Sequence, residues 1–481
     1  MTLLRKNLFI IIGPLLFIVM QLLPVPKGMT HGGYAVLCST IWIAIWWVTE
    51  SVPIAVTALL PIILFPLTGA VDLSTTTASY GHKYVFLYLG GFMIAIAIEK
   101  WNLHKRIALH IINAIGTNIY NIILGFMAAT GFLSMWISNT ATAVMMLPIG
   151  MSIVAQLKDN PETDENENLI FGKALMLSIA YSASIGGIAT LIGTPPNLVF
   201  AGYVQKLYGI DISFWQWIKF GLPISVILMV LSWLYLTRIA FRFEQKEFPG
   251  GKNEIQRLIN GLGPVKREEK IVLGVFVLTA FCWITRSFLL QKLIPGIDDT
   301  IIAMVFAVLL FIIPANKTQE RIITWHDTIK IPWGIILLFG GGMAMATAFE
   351  VTGLATWLGN QMTLFEGLSV FFLVLVTVTL VNFLTELTSN LATTAMLMPI
   401  LAPIAGNLNI NPLILMISAT LAASCAFMLP VATPPNAVVF GSGYLRIPDM
   451  TRAGFWMNIL SIVVVTLMVY LLLPLIWNLK M

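Results

Sequence analysis

The sequence predicts an all-α polytopic membrane protein, and two observations carry that reading: an apolar composition and a set of short polar motifs that occurs twice. Of the 481 residues, 58% are hydrophobic and 10% charged, with a mean hydropathy of +0.89. That leaves too little polar surface for a water-soluble chain. Stretches such as 8–23, 271–285, 301–313 and 455–477 are nearly free of charge, and roughly a dozen such segments of about 20 residues match the thickness of a bilayer. The expected architecture is about 11 transmembrane helices plus two re-entrant hairpins.

The first apolar run follows Arg5 and Lys6, and no A-x-A-like site precedes "QLLPVPKG". It reads as a retained first helix. Lys and Arg then cluster at Lys100, Lys105 and Arg106, from Arg238 through Lys270, at Lys317, Arg321 and Lys330, and at Arg446 and Arg452. By the positive-inside rule these connections, with the N-terminus, face the cytoplasm. The remaining connections hold single bases such as Lys27, Lys83, Lys206 and Lys292, and 331–445 holds none. The net charge of +5 is spread over loops, and no basic-aromatic stripe points to nucleic acid. Cys38, Cys282 and Cys425 stand singly in apolar stretches without metal spacing, as small packing residues do.

The stretch "ISNTATAVMMLP" (137–148) is nearly repeated by "TSNLATTAMLMP" (388–399), an offset of 251. The same offset carries the glycine pair Gly90 and Gly91 into the run Gly340 to Gly342, and Glu99 onto Glu350. A second pair, "IGTPPNLVFAG" (192–202) and "VATPPNAVVFG" (431–441), is offset by 239. A tandem repeat in an apolar chain argues for a transporter. Five hydrophobic segments, at about 174–195, 214–240, 268–290, 299–314 and 331–349, separate the copies. An odd number of crossings inverts the second copy, and the basic "EKWNLHKR" after Glu99 against the base-free "EVTGLATW" after Glu350 agrees.

The run 121–153 is apolar but interrupted by Gly131, Ser134, Ser138, Asn139, Thr140 and Thr142. Two short helices meeting at a Ser-Asn-Thr tip explain this better than one straight helix, and the tip leaves backbone groups that need partners at membrane depth. In TPPN, consecutive prolines remove N–H donors and disfavour the helical region in the residue before them. Helices are therefore expected to break at Gly193-Thr194 and at Ala432-Thr433. Freed carbonyls can coordinate a cation, and the second half-helix offers its N-terminus to an anion.

Charged candidates are few. Glu386 is the nearest charge to either motif and reads either as a site residue or as a pairing group within the bundle. Glu99 and Glu350 fall at helix ends as caps or interfacial charges. His31, His82, His104, His110 and His326 lie near loops or interfacial helices, which disfavours a histidine proton relay. With no central Arg or Lys, a dianion would need helix N-termini, hydroxyl and amide donors, and accompanying cations. Sodium suits such oxygen donors. A channel would need a continuous polar pore lining, and an intramembrane enzyme a nucleophile with its base or a metal set; the sequence offers neither.

At these residues the chain resembles the divalent anion/sodium symporter family, also called solute carrier family 13, most closely its bacterial sodium/dicarboxylate symporters. The likeness runs through "WWVTESVPIAVTALLPIILFPLTG", "EKWNLHKRIALHII", "ATGFLSMWISNTATAVMMLPIG", "GTPPN", "IPWGIILLFGGG", "TSN", "MLPVATPPNAVVFGSG" and "GFWMN". The resemblance implies a homodimer in the cytoplasmic membrane whose transport domain moves against a scaffold like an elevator. Its parts would be scaffold at 1–115 and 241–365, and transport domain at 116–240 and 366–481. It also implies one sodium site at Ser134, Ser138, Asn139 and the Gly193 carbonyl, and a second at Thr385, Ser389, Asn390 and the Ala432 carbonyl. The substrate would be a C4-dicarboxylate such as succinate, malate or fumarate, meeting Asn139, Thr140, Thr194, Pro195, Asn390, Leu391, Thr433 and Pro434. Leu391 departs from the family, which has Thr there. A sodium-independent dicarboxylate exchanger, or citrate or sulfate as substrate, is the alternative.

Overall fold

A computed structural model of the chain describes residues 3–116, 118–156, 167–243, 251–315, 320–361 and 367–479. Lys317, and residues 244–250 within the basic stretch 238–270, lie outside them. The described residues form helices and their connections, with one isolated β-bridge between Pro314 and Arg321. The principal helices are α1 (Leu3–Gln21), α2 (His31–Thr49), α3 (Lys83–Lys100), α4 (Leu103–Ile115), α5 (Ile119–Ser134), α6 (Asn139–Val154), α7 (Glu167–Ile188), α8 (Pro195–Tyr208) and α9 (Phe214–Tyr235). They continue with α10 (Arg267–Thr285), α11 (Asp299–Ile312), α12 (Trp333–Val351), α13 (Val370–Thr385), α14 (Asn390–Asn407), α15 (Pro412–Ala423), α16 (Pro434–Phe440) and α17 (Ile447–Leu467).

Seven helices among the described residues are each long and apolar enough to cross a bilayer. Shorter apolar helices of 10–17 residues, such as α11 and α15, stand beside these seven. Apolar side chains including Ile11, Val277, Val305 and Val463 stand exposed on the outer surface, as a lipid-facing wall requires.

The doubled motifs become doubled structure. Helices α5 and α6 form one hairpin and α13 and α14 the other, each reversing over the four or so residues before its Ser-Asn pair. Asn118 caps α5 by accepting from Asn121 N at 2.7 Å, and Ser369 caps α13 by accepting from Phe372 N at 3.3 Å. Each cap satisfies one orphan N–H of its first turn. The hairpin is followed in each copy by a helix pair interrupted before TPPN, α7 with α8 and α15 with α16. Both second halves begin with Pro-Pro at their first positions, where a missing N–H is no loss.

The copies interlock. Helix α8 packs on α14 and α15, while α16 packs on α6 and α7, so each half-helix lies against the other copy's hairpin. Beside them α3 packs on α11, and at the contact a Cβ built on Gly90 would fall 2.8 Å from the Ala303 methyl.

Ion pairs sort the connections into two groups. Lys100 meets Asp327 at 2.8 Å and Arg106 meets Glu269 at 2.6 Å, joining basic-rich connections to each other. Lys83 meets Asp211 at 2.6 Å and Asp298 at 3.2 Å, joining basic-poor ones. Lys83 and Lys100 stand at opposite ends of α3. Cys38 and Cys425 are buried and all three cysteines are free, in keeping with packing roles.

Candidate functional site

Each hairpin tip is organised by its asparagine. At the first, Ser138 is the N-cap of α6 and its hydroxyl accepts from Ala141 N at 3.3 Å. Ser134, fully buried at the end of α5, brings its Oγ to 2.6 Å from Asn139 Oδ1 and to 2.6 Å from the Ala183 carbonyl oxygen of α7. At the second, Thr385 at the end of α13 donates to Asn390 Oδ1 at 2.6 Å, and its hydroxyl lies 3.1 Å from the Ala423 carbonyl oxygen at the end of α15. The two corners share one pattern, a hydroxyl set between the asparagine oxygen and a backbone carbonyl of the following helix. Sequence reading found the hydroxyls and amides but missed the Ala183 and Ala423 carbonyls, because a backbone oxygen leaves no mark in residue type.

The first corner tests the fit of a cation. Asn139 Oδ1 also lies 3.2 Å from both the Ala183 and the Gly193 carbonyl oxygens. Turning the amide would let its nitrogen donate to both; with the oxygen inward, four oxygens converge. Such an all-oxygen group is what a small hard cation satisfies. A Cβ at Gly187 would sit 2.7 Å from Asn139 Oδ1, so only glycine lets α7 approach this corner. Ser389 caps α14 through its backbone alone, without a side-chain hydrogen bond, and Ala432 and Asn390 both line the cavity described below.

The breaks are wider than the expected Gly193-Thr194 and Ala432-Thr433. Helix α7 ends at Ile188 and α15 at Ala423, six and ten residues before the prolines. The last residue of each TPPN, which carried no assigned role, explains how. Asn197 Nδ2 donates to the carbonyls of Gly187 (3.2 Å), Ile188 (3.4 Å) and Thr190 (2.7 Å). Asn436 Nδ2 donates to those of Ala426 (3.4 Å) and Leu429 (3.0 Å). Both asparagines are fully buried, and each takes up carbonyls that a continuing helix would otherwise satisfy.

Glu386 holds the longer break. Its carboxylate accepts from the backbone N–H groups of Phe427 (2.7 Å), Met428 (3.0 Å) and Leu429 (3.1 Å), and from Asn458 Nδ2 (2.8 Å). Of the two readings open to it, the geometry is that of a group fixing the unwound segment. In the first copy Met135 occupies that position and offers its backbone carbonyl to the Thr190 hydroxyl at 2.5 Å, which in turn accepts from Gly193 N at 3.0 Å. A six-residue break needs one hydroxyl; a ten-residue break engages a whole carboxylate.

Both tips and both breaks converge on one cavity of about 520 Å³. Ser138, Asn139, Thr140, Gly193, Thr194 and Pro195 line it from the first copy, and Ser389, Asn390, Leu391, Ala432, Thr433 and Pro434 from the second. Ser134 and Thr385 stand behind the asparagines rather than in the wall. Thr433 Oγ1 also accepts from Asn436 N at 3.3 Å. Leu391, 6% exposed, presents methyl groups where Thr140 presents a hydroxyl. A larger cavity of about 980 Å³ shares Ser138, Thr140, Pro332 and Ile335 with this one and reaches Lys105 and Lys330 of the basic-rich connections.

Two broken helices and two hairpins meeting around a small cavity inside an apolar helical bundle define a membrane transporter rather than an enzyme. The chain belongs to the sodium:sulfate symporter family, whose "Sodium:sulfate symporter transmembrane region" matches residues 4–478. The motif resemblance pointed to the same family. The chain is 48% identical over 471 residues to the sodium-dependent dicarboxylate transporter SdcS of Staphylococcus saprophyticus, covering 97% of this chain and 91% of the relative. It is 46% identical over 473 residues, with the same coverage, to SdcS of Staphylococcus aureus strain USA300. In fold it is similar to the YdaH transporter of Alcanivorax borkumensis, with a TM-score of 0.60 at 12% identity over 93% of this chain and 99% of that one.

Proposed function

We propose that this chain is a sodium-coupled symporter of C4-dicarboxylates such as succinate, malate and fumarate. The observation that carries the reading is the 520 Å³ cavity, where two Ser-Asn tips and two TPPN breaks meet and no Lys or Arg lines the wall. A dianion there draws on the N-termini of α6, α8 and α14, on hydroxyl and amide donors, and on cations. The Staphylococcus relatives, sodium-dependent dicarboxylate transporters by name, support both the ion and the substrate class.

In this reading one sodium ion is held by Ser134, Ser138, Asn139 and the Gly193 carbonyl, and another by Thr385, Ser389, Asn390 and the Ala432 carbonyl. The substrate carboxylates meet Asn139, Thr140, Thr194, Pro195, Asn390, Thr433 and Pro434, with Leu391 against the carbon chain. Inverted repeats 116–240 and 366–481 form the moving unit of an elevator, 1–115 and 241–365 the scaffold of a homodimer. The protein sits in the cytoplasmic membrane with its N-terminus inside, which the two groups of ion-paired connections support.

Purified protein in proteoliposomes is expected to take up succinate down a sodium gradient and to stop when choline replaces sodium. Uptake that survives this swap when dicarboxylate is present inside would favour the second reading, exchange without sodium, for which Leu391 is the motivating residue. Competition by sulfate or citrate against labelled succinate separates those substrates.

A further inference from the structure

The lining of the 520 Å³ cavity contains one charged side chain, and it is negative. Glu50 follows α2 and lines the same cavity as the hairpin tips, as do Ile54, Ala55, Pro332 and Ile335. It is exposed, and among the described residues its carboxylate has neither an ion-pair nor a hydrogen-bond partner. Its backbone is left-handed, with φ 46°. Of the four non-glycine residues at positive φ among the described residues, the other three are Asn102, Asn409 and Asn478, the residue type that tolerates this region best. A glutamate gains nothing there from backbone preference, so its reason for standing at that bend lies in its side chain.

An unpaired carboxylate in the wall of a dianion site acts against the dianion. Like charges lining one small cavity raise each other's free energy, by an amount that solvent at the exposed Glu50 screens, and cations bound at the tips offset the repulsion. The geometry points to Glu50 as the residue that makes substrate binding conditional on sodium: its charge penalises a dianion that arrives alone and favours one that arrives with cations. Its role is selectivity by repulsion, which sharpens coupling without adding a contact to the substrate. This inference rests on the sodium-coupled dicarboxylate reading above.

The test compares wild type, Glu50→Gln and Glu50→Asp, each checked for a monodisperse, folded state in detergent. Sodium dependence of succinate uptake is titrated in proteoliposomes, and succinate protection against thermal unfolding is measured in choline without sodium. Glu50→Gln is expected to tighten succinate binding in choline by about three- to tenfold, read as a gain of succinate protection without sodium, and to make uptake less dependent on sodium. Glu50→Asp, which keeps the charge, should stay close to wild type. The binding measurement needs no turnover, so a variant that binds without translocating still reports. No succinate protection in choline for Glu50→Gln overturns the role of Glu50, whereas wild type without sodium dependence overturns the functional reading instead.

Discussion

Thr385 donates its hydroxyl to Asn390 Oδ1 at 2.6 Å, and Ser134 stands in the same relation to Asn139 at the same distance. At the second tip the buried Thr385 hydroxyl, just before the hairpin turn, directs the Asn390 oxygen before any ligand arrives, whereas the Asn139 amide also meets the Ala183 and Gly193 carbonyl oxygens, which a turned amide would satisfy by donating. That preorganisation is what an ion site built from weak neutral ligands needs.

Removing the orienting hydroxyl should therefore weaken cation binding more than folding. Thr385→Val keeps the side-chain shape, and the sodium concentration for half-maximal succinate uptake is expected to rise by about tenfold. Asn139→Ala and Asn390→Ala should each abolish uptake while the folded protein remains detectable by size-exclusion chromatography. Normal transport by Asn139→Ala would sink the site assignment.

Leu391 breaks the equivalence of the two tips. Leu391→Thr returns a hydroxyl opposite Thr140, and a new hydrogen bond to a carboxylate should tighten succinate by roughly tenfold. Leu391→Ala controls for lost volume. An unchanged KM for both variants would mean that residue 391 does not face the substrate.

Glu386→Ala leaves the backbone N–H groups of Met428 and Leu429 and the Asn458 amide nitrogen without the acceptor they use, and leaves Phe427 N with Asn458 Oδ1 alone. A loss of about 3 kcal/mol or more in stability is expected, read as a marked fall in melting temperature together with loss of uptake. Glu386→Gln keeps one oxygen and should lose less. A melting temperature equal to wild type in the Ala variant contradicts the role of Glu386 in holding residues 427–429.

Asp327 gives a pH-dependent contribution outside the membrane. Burial opposes its ionisation, but the Lys100 ammonium and the N–H and hydroxyl of Thr324 outweigh burial and hold its carboxyl below the usual range. A carboxyl lowered in the folded state stabilises above its unfolded pKa, near 4, and that contribution fades as pH falls through the folded value. Asp327→Asn should thus melt below wild type at pH 7, by about 1 kcal/mol, with the gap closing below about pH 4. A gap that stays constant down to pH 3 would exclude the charged pair as its source.

The sequence by itself determined the membrane class, the hairpins and the broken helices. These follow from signals that are local in the chain: hydropathy sums over neighbours, Ser-Asn at a tip, and Pro-Pro at a helix start, where sterics act on adjacent residues. Only the tertiary structure decided how far each helix unwinds and what satisfies the opened backbone. Asn197 and Asn436 were visible as the last letter of TPPN, but their targets are carbonyls seven to ten residues earlier, and which carbonyls come within reach depends on the three-dimensional path. Glu386 reaches residues 41 to 43 positions away, and Glu50 joins a wall that also includes residues beyond 130 and 380. Such meetings are set by packing between distant helices, and residue type alone carries no record of which helices become neighbours.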